Sequence, residues 1–250
     1  MLINSDHVVV ILGNGTVGTA YSRRTAWPAI DPRNKDVDAL GDAFVIAVPT
    51  PNLEGRCDAS AVYDMLDQID PSKHVLIKST VGLEHLRYIE ERHPNVTFSP
   101  EFLTEESALD DVAQERRIIL GGSKEELDFW TDIFLDKGYT NFARMPIMEA
   151  GFVKYTENAF LATKVSFFNE IYDLAESMGV EYEDIMMGLD LDPRIGRSHR
   201  QVPGPDGKFG WGGKCFPKDI EEFLGFARSY ATPLSILEMA VASNRIVRDK

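Results

Sequence analysis

His7-Val8-Val9-Val10-Ile11-Leu12-Gly13-Asn14-Gly15-Thr16-Val17-Gly18 is the stretch whose reading decides the fold. An apolar, β-branched run predicts a buried strand, and the glycines follow it at GxGxxG spacing, before a helical pattern that runs to about Arg24. In that order each glycine has a task. Gly13 permits the tight turn, Gly15 lets a pyrophosphate approach the helix N-terminus, and Gly18 lets the helix pack on the strand. Gly13, Gly15, Thr16, Val17 and Gly18 are therefore candidate cofactor contacts, set against the plainer reading of a βα turn. A second strand should then end in an acid for the adenosine ribose. Asp31 follows Pro28-Ala29-Ile30, about 18 residues after Gly13, where the motif expects about 20. No arginine stands directly behind it, which favours NAD over NADP, although Arg33 is near. As an alternative, Asp31-Pro32 is simply a turn.

Outward from this stretch the pattern repeats. Ala43 to Val48 reads as a buried parallel strand ended by Pro49-Thr50-Pro51, and a helix follows at about Ala59 to Ile69. A strand at His74 to Lys78 ends in Ser79-Thr80, a helix covers Glu84 to Glu91, and a short strand spans Val96 to Ser99. Arg117 to Leu120 is a strand, Lys124 to Leu135 a helix, and Thr140 to Ala143 a last strand. Such βα repetition predicts an α/β fold with a Rossmann-like doubly wound parallel sheet. Its ligands belong beyond the strand C-termini, where Gly15, Pro49, Thr80 and Glu101 fall. The pattern then changes: Phe152, Tyr155, Ala159, Ala162, Val165, Phe168 and Tyr172 mark one face of a long helix from about Met148 to Met178, with Gly179 as its C-cap. Helices follow near Tyr182 to Leu189, Asp219 to Arg228 and Pro233 to Arg248. The expected division is residues 1–147 as a nucleotide-binding domain and 148–250 as an all-helical domain.

The 250 residues carry a net charge of −14, with 44% hydrophobic and 26% charged residues. That composition is globular, and the acidity argues against nucleic-acid partners and anionic membrane surfaces. No stretch approaches the roughly 18–20 apolar residues of a membrane span, and the N-terminus lacks a secretory pattern. The two cysteines, Cys57 and Cys215, give neither a disulfide framework nor a metal cluster, so a cytoplasmic protein with reduced thiols and no metal is expected. Cys57, beside Asp58, reads as incidental.

Chemistry concentrates in Gly210-Trp211-Gly212-Gly213-Lys214-Cys215-Phe216-Pro217-Lys218-Asp219. Three glycines before the cysteine let the backbone approach a ligand closely. A thiol at a loop-to-helix junction, near lysines and amide N–H groups, is placed where a thiolate is stabilised, which points to covalent catalysis. The alternative is a glycine-rich turn with a small buried Cys. Lys154 and Asn158, four apart on the long helix, project from one face and suit a hydroxyl or carbonyl oxygen. Ser99-Pro100-Glu101-Phe102-Leu103-Thr104-Glu105-Glu106 sets carboxylates beyond a strand end, or is an acidic helix start. Between Asp192 and Lys218, Arg194, Arg197, Arg200, Lys208, Lys214 and Lys218 form a local excess of cations suited to a phosphate-bearing ligand. The alternative there is a solvated loop.

Together these stretches resemble the UDP-glucose/GDP-mannose dehydrogenases. The resemblance rests on Gly13 to Gly18, Ala47-Val48-Pro49-Thr50-Pro51, Ile77-Lys78-Ser79-Thr80 and Phe98-Ser99-Pro100-Glu101-Phe102-Leu103. It continues through Lys154…Asn158, Phe168-Asn169-Glu170, Asp192-Pro193-Arg194-Ile195-Gly196 and Gly212 to Asp219, in the family's order over almost the whole chain. It implies a four-electron oxidation of a nucleotide-sugar C6 alcohol, with UDP-glucose favoured, using two NAD⁺. In the family's pattern Cys215 would carry a thiohemiacetal and then a thioester, and Lys154 would stabilise the oxyanion. Asp219 would hold water with Thr80, Glu105 would be the general base, and Asn158 would anchor the substrate. Pro49, Thr50, Thr80, Asp31 and Lys218 would join the cofactor contacts; Glu101, Phe102, Leu103, Arg194, Phe209, Gly210 and Gly212 would meet the substrate. A homodimer through the helical domain is implied, with Arg194 reaching the neighbour's substrate. The sequence departs from the family in stopping at Lys250, short of the usual nucleotide-closing domain, in the short segment after Asp31, and in Thr104 and Glu106. Two other readings stand beside this one: a two-electron β-hydroxyacid-type dehydrogenase, which needs no thiol, and a non-catalytic nucleotide-sugar binding subunit.

Overall fold

A computed structural model describes residues 7–33, 35–53, 55–103 and 108–249. The chain divides into two compact units, Met1–Lys154 and Tyr155–Lys250. In the first, the strands are β1 (Val9–Leu12), β2 (Ala29–Ile30), β3 (Ala43–Ile46), β4 (Asn52–Leu53), β5 (Arg56–Cys57), β6 (His74–Ile77), β7 (Val96–Phe98), β8 (Arg117–Gly121) and β9 (Asn141–Met145). Its helices are α1 (Thr16–Thr25), α2 (Ser60–Leu66), α3 (Leu83–Arg92), α4 (Ala108–Gln114) and α5 (Lys124–Asp136). Seven strands form one sheet in the order β2-β1-β3-β6-β7-β8-β9, and β4 pairs with β5 as a separate hairpin.

The glycine-led strand lies one in from the sheet's edge, paired on both sides. β1 lies between β2 and β3, with Ile11 paired to Ala29 and Val45. Ile11, Leu12, Phe44, Ile46, Leu76 and Ile77 are fully buried, because parallel strands covered on both faces must be apolar at every position. Each such side chain contributes roughly 1.5–3 kcal/mol through burial. One pair departs from the expected parallel pattern: β7 joins β8 antiparallel at Phe98 and Gly121. The helix that precedes β8, α4, lies against α1. Trp27, Trp130, Phe134 and Tyr139 fill the core with edge-to-face and tilted ring contacts 5.0–6.5 Å apart.

The helices that follow are α6 (Ile147–Met178), α7 (Tyr182–Leu189), α8 (Cys215–Ser229) and α9 (Ser235–Arg248). α6 opens in the first unit and continues into the second. It ends as its Gly179 predicts: φ is +66°, and the Gly179 and Val180 N–H groups bond back to Glu176 (3.2 Å) and Ala175 (2.9 Å). Of its expected apolar face, Tyr155, Ala162 and Phe168 are buried, whereas Phe152 is exposed. Phe160, Phe167, Leu174 and Met178 are exposed as well, because the helix is apolar on more than one side. α8 begins four residues before the expected Asp219, at Cys215 itself. Pro217 is the reason this is possible. In the first helical turn a missing N–H costs nothing, since those donors have no intrahelical partner.

Candidate active site

In the first unit the β1–α1 turn forms a cradle. Gly13 has φ +120°, and a Cβ there would overlap the Ala47 carbonyl; one on Gly18 would overlap the carbonyl of Gly13. Gly15, by contrast, faces open space and caps α1 with no side-chain bond. Asn14, Gly15 and Thr16 are exposed and Val17 is half-buried. Free N–H groups at the positive end of a helix, with no side chain in front, fit a pyrophosphate. Asp31 stands directly after β2, but Arg33 forks onto both its carboxylate oxygens. That guanidinium holds the carboxyl down to about 2.

Next along the sheet edge, the Ser79 hydroxyl donates to the Val48 carbonyl (2.8 Å) and accepts from the Val48 N–H (2.9 Å). One side chain thus ties the ends of β3 and β6, holding exposed Pro49 and half-buried Thr50 beside Thr80. The Cys57 thiol donates to the Thr80 carbonyl at 3.6 Å, which gives that cysteine a structural contact. Beyond β7, Glu101 and Lys154 are both buried. Lys154 Nζ donates to the Glu101 carbonyl (2.5 Å) and to Oε1 (3.1 Å), while Glu101 Oε2 accepts from the Leu103 N–H (2.7 Å). The ammonium also lies 5.3 Å from the centre of the Phe102 ring. Glu105, together with Thr104 and Glu106, lies outside the described residues. A second lysine, Lys78, is wholly buried and donates to the Tyr21 hydroxyl at 2.8 Å. Burial pushes its pKa down to about 8, against the opposing pull of Glu115 and Glu101.

In the second unit, partly exposed Cys215 is the first residue of α8. One turn on, Asp219 is 2% exposed, its Oδ2 accepting from Asn158 Nδ2 and its Oδ1 from Lys218 Nζ, each at 2.6 Å. Before the cysteine, Gly213 (φ +74°) has open space where a Cβ would stand. At Gly210 and Gly212 the close approach is instead to α9: a Cβ would meet the Asn244 amide and the Arg248 guanidinium. Phe209 packs with Phe168, Tyr172, Tyr182 and Val202. The cations of the preceding loop are largely matched by acids of the same unit. Arg194 forks onto Asp192, Arg197 and Arg200 pair with Asp190, and Lys164 caps the Ile195 and Gly196 carbonyls.

Sequence reading did not single out Tyr21, Glu115, Ser166 or Arg248 for the site, and it passed over Asn244, although a buried asparagine inside a helix is a signal in itself. Among the described residues no group of His, Cys, Asp and Glu side chains is arranged to hold a metal, and no helix is long and apolar enough to cross a membrane.

The first unit's sheet and glycine turn are those of a dinucleotide-binding domain. The NAD binding domain of the UDP-glucose/GDP-mannose dehydrogenase family matches residues 33–136 and the family's central domain matches 148–246. The chain belongs to that family, and NAD is the cofactor its first domain is built for. The UDP-glucose 6-dehydrogenase of Rickettsia typhi is 35% identical over 222 residues, covering 82% of this chain and 49% of that protein. That of Rhizobium meliloti is 35% identical over 231 residues, covering 84% and 51%. The chain thus spans about half the length of the curated relatives it matches. Among solved structures, a UDP-glucose dehydrogenase from Pyrobaculum islandicum superposes with a TM-score of 0.78 at 26% identity, covering 98% of this chain and 70% of that one. The 3-hydroxyisobutyrate dehydrogenase of Mycobacterium tuberculosis shares the fold, with a TM-score of 0.73 at 16% identity over 93% of this chain and 90% of that one.

Proposed function

We propose that the chain oxidises the C6 alcohol of a nucleotide sugar to the carboxylate, with UDP-glucose as substrate and Cys215 as the covalent carrier. NAD⁺ supplies the hydride acceptor for both two-electron steps. Lys154 stabilises negative charge on the C6 oxygen as the hydride leaves, the kind of charge complementarity that dominates such chemistry. The Cys215 sulfur then adds to the aldehyde carbon, giving a thiohemiacetal whose oxygen takes up a proton. Loss of the second hydride to NAD⁺, with the hydroxyl proton passing to Glu105, leaves a thioester. Asp219, with Thr80, directs water to the thioester carbon; the C–S bond breaks and the thiol regains its proton. Glu105 serves as general base, and Asn158 anchors the substrate while holding Asp219. Gly13 to Gly18, Asp31, Pro49, Thr50 and Lys218 serve the cofactor. Glu101, Phe102, Leu103, Arg194, Phe209, Gly210 and Gly212 serve the substrate.

The observation that carries this reading is Cys215 as the first residue of α8, partly exposed, with a buried carboxylate one turn behind it. A helix N-terminus favours the thiolate needed for attack. The same reading divides the chain into a nucleotide domain, 1–147, and a helical domain, 148–250. It makes the protein a cytoplasmic homodimer that engages neither nucleic acid nor membrane. Two cysteines outside any disulfide suit that compartment. With NAD⁺ and UDP-glucose, two NADH should form per sugar consumed, and Cys215→Ser should stall after the first oxidation. If Cys215→Ser runs on to the acid at the parent rate, the thiol has no covalent role. One NADH with a released aldehyde would point to a reaction truncated after its first oxidation.

A further inference from the structure

We propose that Asn244, assisted by Arg248 one turn later on α9, is a positioning residue that fixes the loop delivering Cys215; this rests on the reading of Cys215 as the nucleophile. Asparagine inside a helix is less favourable than alanine, yet Asn244 is buried within α9. Its amide is spent on one residue of the loop. The Trp211 N–H donates to Asn244 Oδ1 at 2.7 Å, and Asn244 Nδ2 donates to the Trp211 carbonyl at 3.0 Å. The side chain takes the place that a neighbouring strand's peptide group would take, gripping Trp211 by both backbone groups.

Further contacts hold the same loop on either side of Trp211. Arg248 Nη1 donates to the Phe209 carbonyl at 3.0 Å, while Nη2 pairs with Asp206 at 2.5 Å. From α6, Asn169 Oδ1 accepts the Gly210 N–H (2.9 Å) and Ser166 Oγ accepts the Trp211 indole N–H (3.0 Å). That Ser166 hydroxyl in turn donates to the Ala240 carbonyl of α9 at 3.0 Å. Gly210 and Gly212 lack side chains where the Asn244 and Arg248 side chains press against the loop. From Trp211 the chain needs only Gly212, Gly213 and Lys214 to reach the thiol. The approach to the sulfur is thus held by two α9 side chains, with Asn169 and Ser166 of α6 beside them, and the proposed mechanism gives none of these a contact with the substrate. A misplacement of about 1 Å is enough to cost on the order of a hundredfold in rate.

Asn244→Ala removes both bonds to Trp211. The expected result is a kcat lowered by about tenfold to a hundredfold, with KM for NAD⁺ and UDP-glucose little changed. The rate of Cys215 alkylation by iodoacetamide, followed at that residue by mass spectrometry, should change by more than about threefold, since thiol reactivity follows its surroundings. Asn244→Asp is the second variant. One of its oxygens still accepts from the Trp211 N–H, but the other opposes the Trp211 carbonyl until it is protonated. Its kcat relative to the parent should therefore rise as pH is lowered from about 8 to about 6, a response that a packing role does not produce. Should Asn244→Ala fail to fold, Asn244→Asp and Arg248→Gln carry the same measurements. A kcat and an alkylation rate within about threefold of the parent, or a flat pH ratio, overturn the proposal. Alkylation needs no turnover, so it tests the clamp even if Cys215→Ser shows that the thiol is not the nucleophile.

Discussion

Lys78 shows what a single buried charge does to the first unit. Its ammonium is wholly enclosed, bonded to Tyr21, which in turn donates to Glu115 Oε2 at 2.9 Å. Desolvation is the largest influence on it and lowers the pKa from 10.5 to about 8. The unfolded chain therefore holds that proton to a higher pH than the folded one. Between the two values the unfolded state binds more protons, and stability rises with pH. From pH 8 to about pH 9.5 the rise should be on the order of 1–2 kcal/mol. Lys78→Met should remove this slope from urea midpoints measured across that range. Tyr21, whose burial raises its pKa well above 10.0, acts in the opposite sense and only as pH nears 10, where the unfolded phenol begins to ionise. A midpoint equally pH-dependent in Lys78→Met would show that the proton is linked elsewhere.

At the scale of elements, the β1–α1 turn was legible because its chemistry is local: three glycines at fixed spacing stand between a strand pattern and a helix pattern. The structure adds why Gly18 tolerates no side chain, since a Cβ there would overlap the Gly13 carbonyl. Gly18→Ala should push α1 away from β1 and weaken NADH binding by tenfold or more, on the order of 1.4 kcal/mol, as read by fluorescence titration. Unchanged binding would mean that the helix start is not the anion site. The start of α8 was harder to read, because Pro217 looks like a stop signal and is in fact tolerated in the first turn. The antiparallel entry of β8 had no local signal, because strand direction depends on where α4 packs. Lys154 and Asn158 were picked out by their spacing and by the family resemblance. Their partners, Glu101 and Asp219, are each more than 50 positions away in the chain, and no pattern of neighbours announces such pairs.

For the whole molecule, the exposed residues of α6 say most. Phe160, Phe167 and Leu174 recur every seven residues, and Met178 extends their row. A contiguous apolar row of this kind on a monomer's surface marks an association face, which supports the proposed homodimer. Phe167→Glu should shift the protein to a monomer in sedimentation velocity while leaving its far-UV circular dichroism unchanged. A dimer that persists would place the contact elsewhere. Each unit also carries the same three-residue device. In Asp31-Pro32-Arg33 and in Asp192-Pro193-Arg194 the arginine closes back on the aspartate two positions earlier. A ligand that recruits either partner must first part the two, so binding there is an exchange of one ion pair for another. Such an exchange leaves the number of unpaired charges as it was, and salt should weaken it less than it weakens capture by an open arginine.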